Sequence, residues 1–492
     1  MERSDLDYAS ATEIARLVRT RQISAADVTE HAIARIEARN RSINAFVYTD
    51  FEQARNRAKD LDVRIRAGED VGPLAGVPTA IKDLFNFYPG WPSTLGGIRC
   101  LRDFKLDVKS RYATKMEEAG AVVLGITNSP VLGFRGTTDN DLYGPTRNPF
   151  DLSRNSGGSS GGTSAAVADG LLPIGDGTDG GGSIRIPAAW CHVFGFQASP
   201  GRIPLAIRPN AFGAAAPFLY EGPITRTVED AALAMSVLAG SDPADPFSLN
   251  DRLDWFGAVD QPTITGLRIG FTPDFGGFPV EPAVAATIAH AVRAFEQAGA
   301  KIVPLTLDFG YTHDELSQLW CRMISQVTIA AVDSFAENGL HLEPDFPAPV
   351  MEWAQKAKNA TPLDLHRDQV MRTKVYDVLN AAFSQVDLIA GPTTTCLPTP
   401  NGERGMTVGP SEIAGTPINR LIGFCPTFLT NFTGNPAASL PAGLADGLPV
   451  GLMLIGPRRD DLTVLSASAA FERVQPWADS YRIPAVRPLG SQ

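Results

Sequence analysis

The chain of 492 residues is poor in the groups that hold metals and nucleotides. Its six histidines, His31, His192, His290, His313, His341 and His366, stand singly. There is no HExxH pair and no Cys/His ligand spacing, so a metal centre has no support. No Walker loop is present, which removes the commonest phosphate cradle. The five cysteines, Cys100, Cys191, Cys321, Cys396 and Cys425, are odd in number and contain no CxxC. They are expected to be free thiols in a reducing compartment. No uninterrupted apolar run reaches the roughly 18 residues of a membrane span. The charged start, MERSDLDYAS, lacks the apolar stretch of a secretory signal, so a cytoplasmic location is expected. Positive charge is also in deficit, with 43 Lys and Arg against 54 Asp and Glu and a net charge of −11. Such a surface repels phosphate backbones and anionic lipid, which argues against nucleic acid and membranes as partners.

What is present is ordinary for a globular protein: 44% apolar and 20% charged residues. Ser10 and Ser24 each precede an acid, Glu13 and Asp27, by three residues and predict two capped helices before residue 45. Short Val/Ile/Leu-rich runs at 76–85, 121–126 and 266–271 read as buried strands. Amphipathic stretches at 110–119 and 282–299 read as helices. This alternation argues for an α/β architecture. Residues 310–384 read mostly helical, with Trp320, Met323, Phe335, Trp353 and Tyr376 interspersed. They either pack as core or cap a substrate pocket. Segment 432–456 reads as turns and short strands. With no repeat and no long linker, residues 1–492 are expected to form one domain. Its catalytic core is placed at about 70–205 and a helical cap at about 310–385.

The unusual texture lies between Asp151 and Gly201, where Gly, Ser and Ala dominate. Gly157-Gly-Ser159-Ser-Gly161 matches GxSxG, but residues 148–156 read as loop rather than the strand a nucleophile elbow requires. The second run, Gly175-Asp-Gly-Thr-Asp-Gly-Gly-Gly-Ser183, is more telling. Successive glycines let several backbone N–H groups converge on one point, as an oxyanion hole requires, and a serine ends the run. A serine nucleophile needs a base, and no histidine motif supplies one. Lys82, at the end of Gly76-Val-Pro-Thr-Ala-Ile-Lys82, lies in an apolar run where burial can depress its pKa. Pairing with Asp83 is the alternative role for that lysine.

Taken together these stretches resemble the amidase signature family of Ser–cis-Ser–Lys amide hydrolases. The resemblance extends from Ile43-Asn-Ala-Phe-Val47 through Thr127-Asn128 and Gly144-Pro-Thr-Arg-Asn-Pro149 to Gly177-Thr-Asp-Gly-Gly-Gly-Ser-Ile-Arg-Ile-Pro-Ala-Ala189. It resumes at Asp387-Leu-Ile389, Pro392-Thr393, Asn431, Gly434-Asn-Pro-Ala437 and Gly447-Leu-Pro-Val-Gly451. It implies a central mixed β-sheet covered by helices on both faces. It further implies Ser183 as nucleophile, Ser159 as bridging serine and Lys82 as base, with the amides of Gly180, Gly181, Gly182 and Ser183 as oxyanion hole. No metal or organic cofactor is implied.

Four places depart from common family usage: Gly180 where amidotransferase subunits usually have Thr, Val131 where many members have Glu, Met453 in place of Gln, and the segment Gly195-Phe-Gln-Ala-Ser199. Phe134, Phe212 and Phe218, with the small residues of 213–216, predict a roomy apolar site for a neutral amide. The expected substrate is an aryl or alkyl amide, an anilide or a carbamate; the alternative is the A subunit of a glutamyl-tRNA(Gln) amidotransferase-type complex. A homodimer is compatible with this reading.

Overall fold

The computed structural model describes residues 6–208, 210–213 and 218–487. The first five residues of the charged start and the small-residue stretch at 214–216 lie outside them. Both predicted N-caps are formed. Ser10 Oγ accepts from Glu13 N–H at 3.1 Å before helix Ala11–Arg19, and Ser24 Oγ accepts from Asp27 N–H at 3.0 Å before helix Ala25–Ile43.

Three strands, β1 (Phe46–Thr49), β2 (Pro78–Lys82) and β3 (Val122–Thr127), make one small sheet in the order β1-β3-β2. Eight more make the central sheet: β4 (Ile174–Asp179), β5 (Phe194–Gln197), β6 (Tyr220–Thr225), β7 (Arg268–Phe271), β8 (Lys301–Pro304), β9 (Leu388–Pro392), β10 (Ala437–Ala445) and β11 (Leu448–Ile455). Their spatial order is β8-β7-β9-β11-β10-β5-β6-β4. The β8–β7 and β7–β9 pairs are parallel and the others antiparallel, so the sheet is mixed. Strand β2 runs beside the β4 edge. There the Lys82 N–H donates to the Asp176 carboxylate at 3.0 Å, so a side chain ties the two sheets together.

Alternation along the central strands creates two cores. Leu388, Ala390, Leu452 and Leu454 face the core that holds helices Pro282–Ala291 and Asp461–Val474 and continues to the N-terminal helices. Ile389, Met453 and Ile455 point the other way. They meet helices His313–Ala336, Ala348–Lys358, Pro362–Ala382 and Phe428–Thr433. The fold is therefore α/β with helices on both faces, as expected.

Two local expectations change. Residues 151–155, read as loop, form a strand that pairs with Arg147–Asn148. Its sequence, Asp-Leu-Ser-Arg-Asn, has no β-branched residue. Side-chain amides hold it instead: Asn155 Oδ1 accepts the N–H groups of Thr138 and Gly157, each at 3.0 Å. Within 432–456, helix Phe428–Thr433 leads into the hairpin of β10 and β11, closed at Asp446-Gly447 with both φ angles positive.

Helix Gly161–Ala168 threads this core because its residues are small. A Cβ on Gly162 would lie 2.3 Å from Asn128 N. Just past the helix, the fully buried Asp169 accepts from Arg39 at 2.8 and 2.9 Å and from Arg487 at 3.1 Å. Asp169→Ala leaves two guanidinium groups without their carboxylate and is expected to cost about 3–5 kcal/mol. Calorimetry should show a lower melting temperature, while turnover per folded molecule stays at the wild-type value.

Candidate active site

Lys82 is the last residue of β2 and is fully buried. Its Nζ lies 2.8 Å from Ser159 Oγ, 3.0 Å from Ser160 Oγ and 2.8 Å from Thr178 Oγ1. All three partners are neutral hydroxyls. Asp83, the alternative partner, turns away and accepts from the Thr94 hydroxyl and the N–H groups of Thr94 and Gly96. Burial therefore dominates and lowers the Lys82 pKa to about 7, against the upward pull of Asp176 and Asp179.

Ser159 and Ser160 precede helix Gly161–Ala168, and the Gly158–Ser159 peptide is cis. Thr138 Oγ1 donates to Ser159 O at 3.3 Å and accepts from Gly161 N–H at 3.1 Å. Ser160 N–H donates to Ser183 O at 3.1 Å, which joins the two glycine runs. The strand–turn–helix around Ser159 is thus real, but its hydroxyl meets Lys82 rather than a histidine.

The second run leaves β4 at Asp179 and turns through Gly180, Gly181 and Gly182 to Ser183. Asp179 is the post around which it winds. Its carboxylate accepts from Gly181 N–H at 3.2 Å, Gly182 N–H at 2.5 Å and Ile184 N–H at 3.1 Å. Arg185 and Asn431 also donate to it, at 3.1 and 2.9 Å. Burial opposes its charge, but the Arg185 guanidinium, Asn431 and the Ile184 N–H together more than offset this and lower its pKa. Gly182 has φ +122, and a Cβ there would lie 2.0 Å from Thr427 Oγ1, so glycine is required twice over. Among the described residues no acceptor takes the N–H of Gly180 or Ser183. Two donors thus stand free beside the Ser183 hydroxyl, while those of Gly181 and Gly182 are engaged by Asp179.

Ser159 and Ser183 line one pocket with Gly180, Leu132, Phe134, Leu219, Trp320 and Ile324. Their hydroxyls are not hydrogen-bonded to each other among the described residues. Of the predicted substrate contacts, Phe134 is in this pocket. Phe218 lines the adjoining cavity on the other side of Leu219. Phe212 is 66% exposed and stacks edge-on against Phe247. The free space beside Ser183 is only ≈ 30 Å³, against ≈ 480 Å³ in the adjoining cavity. The expected roominess therefore lies next to the Ser183 pocket and not in it. Thr178, Asp179, Trp320 and Thr427 were not singled out for these positions by sequence reasoning. The signal available for Thr178 and Asp179 was their place inside the second glycine run; for Thr427 there was none.

The family model described as Amidase matches residues 27–465. The chain belongs to the amidase family. An acylamidase of Rhodococcus erythropolis is 37% identical over 490 residues, covering 97% of this chain and 98% of that protein. A solved structure of a bacterial aryl acylamidase of the amidase signature family superimposes with a TM-score of 0.96 at 50% identity, covering 98% of this chain and 99% of that one. The glutamyl-tRNA(Gln) amidotransferase A subunit of Nitrosococcus oceani is 30% identical, covering 98% of this chain and all of that protein. The amidase is accordingly an amide hydrolase. No described helix is long and apolar enough to cross a membrane.

A lysine acts as base only when neutral, so kcat/KM of this amidase is expected to rise with pH through about 7 and then level off. Lys82→Arg, which stays protonated, should be nearly inactive at every pH. A Lys82→Arg pH–rate profile as fast as wild type would remove Lys82 from the chemistry.

Proposed function

We propose that this amidase cleaves a neutral amide with an aryl or alkyl group through an acyl-enzyme on Ser183. The observation that carries the reading is the buried Lys82 amine, held by three hydroxyls with no carboxylate at hydrogen-bond distance. Neutral Lys82 takes a proton from Ser159, and Ser159 takes one from Ser183 as its oxygen attacks the carbonyl. The free N–H groups of Gly180 and Ser183 receive the developing oxyanion. The relay then runs backwards and delivers the proton to the departing amine, and water releases the acid. Every proton passes between this chain's own groups and water.

The apolar lining by Leu132, Phe134, Trp320 and Ile324 suits an uncharged, flat substituent. The acylamidase and aryl acylamidase relatives support the same choice, and anilides fit both. Trp320, Ile324, Val327 and Thr328 come from helix His313–Ala336, so we assign segment 310–385 as the cap over the pocket. The 30% identity to the amidotransferase relative keeps a second reading open to test: ammonia transfer within a complex.

Purified protein assayed on anilides, alkyl amides, carbamates and glutamine should release amine from an anilide without any added subunit. Ser183→Ala should lower that rate by about 10⁴-fold or more while the melting temperature stays unchanged. Glutaminase activity that appears only with partner subunits would favour the transferase reading instead.

A further inference from the structure

Trp320 lies in the second turn of helix His313–Ala336, far in sequence from the glycine run. Its ring is 3% exposed and tilts against Phe134 with centroids 5.5 Å apart. Its indole Nε1–H donates to Gly180 O at 2.7 Å. This approach depends on the next residue being glycine, because a Cβ on Gly181 would lie 2.3 Å from Nε1.

The contact has a geometric consequence. Gly180 C=O and Gly181 N–H are opposite ends of one planar peptide. Asp179 holds the N–H end at 3.2 Å and Trp320 holds the C=O end. The following peptide is held the same way, with Gly182 N–H on Asp179 at 2.5 Å and Gly181 O accepting from Thr427 Oγ1 at 2.6 Å. Asp179 ends β4, the edge strand of the central sheet, and Thr427 precedes the buried helix Phe428–Thr433. Trp320 alone of these holders reaches in from the helical segment over the pocket. Gly180 has no side chain to bias its own φ and ψ. A Cβ there would only graze Leu219 and Ile324, at 3.1 and 3.3 Å, so packing does not fix it either. Its N–H belongs to the preceding peptide, whose Asp179 carbonyl accepts from Asn431 Nδ2 at 3.3 Å, so the N–H is set from two sides, by Asn431 and by the peptide that follows.

We infer that Trp320 is a positioning residue for the oxyanion loop: its indole N–H fixes the Gly180–Gly181 peptide and, together with Asn431 on the Asp179 carbonyl, aims the Gly180 N–H at the reacting carbonyl. The inference rests on the acyl-enzyme reading above. It separates two roles of one side chain, the ring as pocket wall and the N–H as holder of the loop. A wall acts on substrate and transition state alike and moves KM. A holder of an oxyanion donor acts where charge develops and moves kcat.

The test deletes the N–H and keeps the ring. Trp320→Phe and benzothienylalanine at position 320, the latter nearly isosteric with tryptophan, are compared with wild type on one anilide. Both are expected to lower kcat by about 10- to 100-fold with little change in KM, as for a weakened oxyanion donor. Affinity for a trifluoromethyl ketone analogue, whose hemiketal with Ser183 carries the oxyanion, should fall by the same factor as kcat/KM. Affinity for the acid product should not change. Should Trp320→Phe disturb the fold, the benzothienyl protein still isolates the N–H. Wild-type kcat in the benzothienyl protein overturns the inference. So does a loss confined to KM with the ketone and the acid weakened equally. Ser183→Ala in the same assay separates the two levels: if it remains active, the acyl-enzyme reading itself fails.

Discussion

The structure is organised around an amine held out of water without a counter-ion in contact. Lys82 ends a strand buried along its whole length, and its Nζ meets the hydroxyls of Ser159, Ser160 and Thr178 and, at 3.5 Å, the Thr178 carbonyl, all of them neutral. Desolvation makes the charged form expensive, so the proton affinity drops until the neutral form is accessible near neutrality. Asp176 and Asp179 limit the drop but do not touch the amine. A direct carboxylate contact would hold the lysine as an ammonium and remove its use as a base. Asp83, adjacent in sequence, is kept away by its bonds to Thr94 and Gly96.

The same economy of charge governs the loop that carries Ser183. Asp179 sits next to the free donors of the loop, where an unpaired carboxylate would repel a developing oxyanion. It is instead saturated by three backbone N–H groups, Arg185 and Asn431. Arg185 is in turn held by Thr427 O at 2.9 Å and Thr430 Oγ1 at 2.6 Å. The negative charge is thus neutralised by Arg185, and the loop is pinned at its N–H groups. Its carbonyls are pinned by Trp320 and Thr427. The N–H groups of Gly180 and Ser183 remain free, and both residues line the pocket.

Much of this was legible in the sequence, for reasons that differ by residue. Lys82, Ser159 and Ser183 could be proposed as one site because each lies in a local pattern, an apolar run or a dense glycine run, and the structure places Lys82 on Ser159 and both serines in one pocket. The capped helices and β2, β3 and β7 followed from Ser spacing and apolar runs. The strand 151–155 was missed because asparagine side chains, not β-propensity, hold it. Trp320 and Thr427 could not be tied to the loop, since their contacts cross 140 and 246 positions and leave no local trace. Phe212 looked like a pocket residue because aromatic content near glycines says nothing about direction, and the chain turns it to solvent. The free space followed the same logic: small residues predict close approach as readily as an open cavity, and at Ser183 close approach won.

The central claim is that the Lys82 amine is neutral at working pH, and it can be observed without turnover. In protein carrying ¹³Cε-labelled lysine, the Lys82 resonance can be assigned by its absence in Lys82→Met and followed across pH. A midpoint near 7, far below those of the surface lysines, is the predicted result. A Lys82 signal that stays in the ammonium position up to pH 10, titrating with the surface lysines, would contradict the account.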